Sequence, residues 1–228
     1  MMFRIKICGV TSVEDALAVA EAGADATGLN FYRPSPRYVA PDHAREIADA
    51  IRGRLLRVGV VVDPTEEEAL SLASQVGLDL VQLHGNEPAA VAARLSRRLP
   101  VMRAFRIGPG GLQPVLDYLD EFRRLGGVFR AVLFDAFQPG RFGGVGKTAE
   151  WDAVKGYPSQ GWHPPFVLAG GLNPENVAVA IRTLSPMGVD TASGVEESPG
   201  RKDPVLVARF VQAARQAFLA AGKSDASP

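Results

Sequence analysis

The chain has 228 residues, with 25 lysines and arginines against 25 aspartates and glutamates, and a single cysteine. Balanced charge leaves no electrostatic footprint for nucleic acid or a membrane surface, and one cysteine makes neither an internal disulfide nor a thiolate metal site. No apolar run approaches the ~18 residues of a membrane helix and no signal-peptide pattern opens the chain, so a cytoplasmic protein is expected.

Short β-type runs alternate with longer helical patterns from end to end. The expected strands are FRIKIC (3–8), DATGLNF (25–31), LLRVGVVVD (55–63), LDLVQLH (78–84), PVMRAF (100–105), FRAVLFD (129–135), PFVLAG (165–170) and MGVDTA (187–192). Between them apolar residues recur at helical spacing, as Val13, Leu17, Ala20 and Ala24 do in the first such segment. Thr11 and Glu14 have the spacing of a capping box, and Asn173-Pro174 supplies a cap and a first-turn proline. Gly23, Gly77 and Gly188 sit where helices close before the next strand.

These joins recur as AGAD, VGLD and MGVD, and the second interval is about twice the first, which suits a repeated βα architecture. Eight strands with intervening helices fit a single-domain α/β fold, a closed (β/α)8 TIM barrel over residues 1–220, with 221–228 as a polar tail. A doubly wound open sheet has the same alternation, and pattern alone leaves it open.

In such a barrel the chemistry lies at the C-terminal strand ends. There the sequence has Cys8-Gly9, then Arg33 and Arg37 in YRPSPRY, then Asp63, His84 and Asp135. GGVGKT (143–148) does not qualify as a P-loop, because Arg141 stands where the first glycine belongs, and it does not follow a strand directly as a dinucleotide fingerprint must. A glycine-rich loop after the sixth strand is the better account. After strands seven and eight, Gly170, Gly171, Ser193 and Gly194 lack bulk, so backbone amides there can approach a phosphate. Asp63 opens DPTEEEA and reads as turn and cap chemistry.

KICGVTSVEDA, GLNFYRPSPRY, VQLHGNE, LFDAFQPGRFGGVGKTAEW, LAGGLNPENV and VDTASGVEESPGRKD resemble, in order and spacing, the phosphoribosylanthranilate isomerase family of tryptophan biosynthesis. The resemblance runs from Lys6 to Asp203 and implies the (β/α)8 barrel. It departs at Ala192, where a second serine is usual, and at Asn30, where an apolar residue is common. The implied reaction is an Amadori rearrangement, an aldose-to-ketose isomerisation that needs an acid and a base but neither cofactor nor metal.

By resemblance Cys8 is the general base and Asp135 the general acid. A free thiol near pKa ~8.5 gains as a base from a downward shift, and a carboxyl near ~3.9 gains as an acid from an upward one. Arg37 is the candidate for the anthranilate carboxylate, because its planar fork suits bidentate pairing. Asp190 is a candidate for a sugar hydroxyl or a proton relay, against a plain strand-entry aspartate like Asp25 and Asp79, and His84 for the pocket lining, against a structural role. Gly9 reads as room for substrate. With strand alternation Lys6 shares the Cys8 face, deeper in the barrel, either as a neighbour depressing the thiol pKa or as a buried lysine paired with a carboxylate. An indole-glycerol-phosphate synthase would want a lysine acid at a strand end, and a sugar-phosphate epimerase paired carboxylates with metal ligands; neither pattern is present. The expected partner is the small phosphosugar–anthranilate substrate, with the chain a monomer or homodimer.

Overall fold

A computed structural model describes residues 2–107, 111–135, 151, 154–158 and 161–222. Eight strands close into one barrel, each hydrogen-bonded to its sequence neighbours and β1 to β8. They are β1 (Ile5–Cys8), β2 (Ala26–Asn30), β3 (Leu56–Val61), β4 (Leu80–Leu83), β5 (Val101–Arg106), β6 (Ala131–Asp135), β7 (Phe166–Ala169) and β8 (Gly188–Thr191). All pairings in the barrel are parallel, which removes the open-sheet alternative. Each expected strand is present, trimmed by a residue or two where the flanking turn takes over, except that β5 runs one residue further, to Arg106.

The described helices are α1 (Val13–Glu21), α2 (Pro41–Ala50), α3 (Glu66–Val76), α4 (Ala89–Ser96), α5 (Gln113–Arg124), α6 (Val177–Leu184) and α7 (Pro204–Ala220). None is long and apolar enough to cross a membrane. Strand alternation separates two cores. Outward residues such as Ile5, Ile7, Val81, Leu83 and Phe134 pack under the helices, whereas Phe3, Ala26, Val58, Leu80, Met102 and Leu133 fill the barrel interior. Toward the strand ends that filling turns polar, with Lys6 and Gln82 fully buried and Asp190 nearly so.

Four local expectations are corrected. Ser12, not Thr11, caps α1, its hydroxyl accepting from Asp15 N at 3.1 Å; the Thr11 hydroxyl instead donates to Gly200 O at 2.6 Å. Gly23 and Gly77 take left-handed φ at helix ends as expected, but Gly188 begins β8 and Ser185 closes α6 in that conformation. Gly188 is glycine for another reason: a Cβ there would lie 2.7 Å from Phe3 O. Asn173 caps one turn early, accepting from Glu175 N and Asn176 N, and α6 starts only at Val177. Asp63 forms a turn as read, with a φ of 48°, while the cap of α3 is Thr65 in a full capping box with Glu68. The glycine-rich stretch 136–147, GGVGKT and the tail from 223 lie outside the described residues.

Candidate active site

A cavity of about 320 Å³ opens at the barrel mouth, and Cys8, Arg37, His84, Asp135 and Asp190 all line it. Gly170, Gly171 and Ser193 form its wall on the β7–β8 side. A second cavity, about 570 Å³, lies beside it over β3–β5 and shares Asn30, Val60 and His84 with it. Nearly every site residue expected from sequence therefore faces one space; Gly194 is the exception.

Cys8 ends β1 and projects inward two residues above Lys6. The Lys6 ammonium, fully buried, donates to Asp190 Oδ1 at 2.9 Å. Room for this arrangement comes from Gly28 opposite: a Cβ there would stand 2.6 Å from Cys8 Sγ and 3.1 Å from Lys6 Nζ. Both readings of Lys6 hold together, since it is paired with a carboxylate and its charge draws the Cys8 pKa down. Burial works against the ammonium, but Asp190 and Cys8 outweigh it and hold the Lys6 pKa above the ordinary lysine range. Asp190 is therefore the counter-ion of a buried cation, not a strand-entry aspartate.

The thiol does not gain the downward shift that would help a base. Burial pushes the Cys8 pKa up; Lys6 and Lys202 oppose that shift without cancelling it, and Asp190 adds to it. The resting thiol is thus protonated at neutral pH. His84, at the end of β4, is pushed down by burial and is neutral at pH 7, with Gln82 Nε2 3.0 Å from its Nδ1. Asp135 ends β6 partly exposed, at the register position of Arg106 on β5.

Arg37 comes from the loop after β2, which Asn30 braces by donating to Ser35 Oγ and accepting from Tyr32 N. Its stem lies over Gly9, where a Cβ would sit 2.3 Å from Arg37 Cδ. Gly9, with a φ of 74°, makes room for arginine, not for substrate. The guanidinium grips Glu196, with Nε to Oε1 at 2.7 Å and Nη2 to Oε2 at 2.6 Å. The same Oε1 also receives Lys202 Nζ at 2.8 Å, and Lys202 donates to Ala192 O at 3.2 Å as well. These two residues belong to a hairpin, β9 (Glu196–Ser198) and β10 (Arg201–Lys202), inserted between β8 and α7. Both stand in the VDTASGVEESPGRKD motif, but no local spacing links them to Arg37.

The two glycine loops differ in character. Gly170 and Gly171 take φ of 90° and 65°, and nothing crowds Gly171, so their smallness serves backbone conformation. Gly194 is needed for packing: a Cβ would fall 1.9 Å from Leu172 O, to which the Thr191 hydroxyl also donates at 2.6 Å. That contact fuses the two loops, and the turn Ser193–Val195 follows directly. A further residue missed in sequence is Glu87, 2% exposed. Its carboxylate accepts from Asp63 N and Gly85 N, each at 3.0 Å, and from Arg103, tying the ends of β3, β4 and β5 around His84.

The model of the N-(5'phosphoribosyl)anthranilate (PRA) isomerase family matches residues 5–213. This chain belongs to that family. The N-(5'-phosphoribosyl)anthranilate isomerase of Chlorobaculum parvum is 47% identical over 94% of this chain and 96% of its own length. The crystal structure of phosphoribosyl anthranilate isomerase from Thermotoga maritima superposes with a TM-score of 0.80 at 39% identity, covering 94% of this chain and all of that one. A phosphoribosyl anthranilate isomerase in complex with reduced 1-(o-carboxyphenylamino)-1-deoxyribulose 5-phosphate has a TM-score of 0.79 at 37% identity, with 94% and 100% coverage.

Proposed function

We propose that this member of the PRA isomerase family converts N-(5-phosphoribosyl)anthranilate to 1-(o-carboxyphenylamino)-1-deoxyribulose 5-phosphate, in tryptophan biosynthesis, with Cys8 as general base and Asp135 as general acid. The supporting observation is that Cys8 and Asp135, from strands three apart around the barrel, open on one cavity walled by the β7 and β8 glycine loops.

Asp135 delivers a proton to the furanose ring oxygen. The C1–O bond breaks, its electron pair stays with the oxygen, and the anthranilate nitrogen lone pair forms a C1=N iminium. Cys8, once its thiol has lost a proton to solvent, takes the proton from C2 as the thiolate, and the freed pair forms the C1=C2 bond while the iminium nitrogen becomes an amine. Loss of the 2-hydroxyl proton and gain of one at C1 complete the ketose, so no electrons enter or leave. Lys6 and Lys202 favour the thiolate as it forms. The glycine loops offer backbone N–H groups to the phosphate at the C-terminal face, and Arg37 reaches the anthranilate carboxylate.

Fluorescence loss of phosphoribosylanthranilate tests the assignment. Cys8→Ala and Asp135→Ala should each lose more than about 1000-fold in kcat, within the range of a removed acid or base, while the reduced product analogue still binds. Near-full turnover by either variant would overturn the assignment.

A further inference from the structure

We infer that Glu196, held by Lys202, is the positioning residue that aims Arg37 at the substrate carboxylate. This rests on the proposed function, and on the Arg37–Glu196–Lys202 chain at the cavity rim. A guanidinium has five N–H donors, and Glu196 engages Nε and one donor of Nη2, leaving Nη1 and the outer Nη2 hydrogen for a ligand. Because Arg37 lines the cavity, the bidentate grip on one edge fixes the plane in which the other edge meets substrate.

Glu196 could instead be a stand-in that the substrate carboxylate displaces. The geometry favours the positioning role. Its side chain is only 4% exposed, the Lys202 side chain that meets it is 0% exposed, and Gly200 N adds a contact at 3.3 Å. Burial alone would raise the Glu196 pKa, but hydrogen bonds from Arg37 and Lys202 outweigh it and keep the carboxylate ionised. Displacing Arg37 would leave that buried anion with half its partners.

Two inert ligands decide the matter: reduced 1-(o-carboxyphenylamino)-1-deoxyribulose 5-phosphate, and the same molecule with a plain phenylamino group. Inhibition constants are measured for wild type, Arg37→Ala, Glu196→Gln and Lys202→Met. Glutamine presents N–H where Arg37 needs an acceptor, so Glu196→Gln should weaken the carboxylated ligand about tenfold, the scale of one lost charged hydrogen bond. The phenylamino ligand should shift less than about twofold, and Lys202→Met should repeat this selectivity more weakly. Equal losses on both ligands, no loss, or tighter binding of the carboxylated one would overturn the inference. The underlying reading is tested separately: if Arg37→Ala leaves the wild-type preference for the carboxylate intact, Arg37 itself is misassigned. Retained binding of the phenylamino ligand also reports that each variant is folded.

Discussion

Replacing Lys6 by methionine should damage stability and thiol chemistry by separate, measurable amounts. Lys6 is fully buried and its ammonium is 2.9 Å from Asp190, so the variant strands a carboxylate among β-strands with no cation beside it. Breaking a buried pair from one side costs about 3–5 kcal/mol, and neutralising both sides together costs much less. Lys6→Met should therefore fall by that amount in urea unfolding, and Lys6→Met with Asp190→Asn should recover most of it. The thiol responds differently. Lys6 is the largest influence drawing the Cys8 pKa down, ahead of the opposing push from Asp190. Its loss should raise the thiol pKa further, the usual effect of removing an adjacent opposite charge. In the double variant the lost Asp190 charge offsets part of that rise, so the shift is smaller but has the same sign. Because Cys8 is the only cysteine, the pH dependence of its iodoacetamide alkylation reads this without ambiguity. A Lys6→Met alkylation curve superposing on wild type, or a double variant no more stable than the single, would refute the reasoning.

Other outcomes follow from the same geometry. With the thiol pKa raised by burial and thiolate the active form, log kcat/KM should climb with a slope near +1 per pH unit from neutrality up to that pKa, and a flat profile across that range would exclude thiolate catalysis. The same raised pKa stabilises the fold fully below the unfolded thiol pKa and loses that contribution as pH rises through the folded value. Gly194→Ala should pry apart the β7 and β8 loops, because its Cβ would fall 1.9 Å from Leu172 O; KM for substrate should rise at least tenfold with a comparatively small change in kcat, read from steady-state kinetics. Glu87→Ala should lower stability by about 3–5 kcal/mol by stranding buried Arg103, measured by urea unfolding.

What could be read from sequence was what the chain encodes locally. Strand runs, strand ends and the burial alternation that puts Lys6 beneath Cys8 depend on neighbours in sequence, and they place most of the cavity lining. Partners across the barrel do not. Arg37 with Glu196, Lys6 with Asp190 and Glu87 with Arg103 are set by closure of the sheet, and no local spacing announces them. The glycines show the same division. Gly77 is legible as a helix terminator, whereas Gly9, Gly28 and Gly194 are small because of side chains or carbonyls that arrive from other strands. The thiol pKa is not legible in sequence for a related reason: the opposing effect of burial is a property of the assembled interior.

The seam between β1 and β8 ties catalytic competence to the end of synthesis. Lys6 meets Asp190 across 184 residues, Thr11 meets Gly200 across 189, and Asp15 accepts from Lys202 N across 187. A growing chain emerging from the ribosome can pair β1 with β2 early, yet its thiol lacks the ammonium's counter-ion, and Arg37 its brace, until β8 and the hairpin arrive. Such distant contacts slow folding. They also mean that any fragment ending before β8 carries the cysteine without the Lys6–Asp190 pair beneath it.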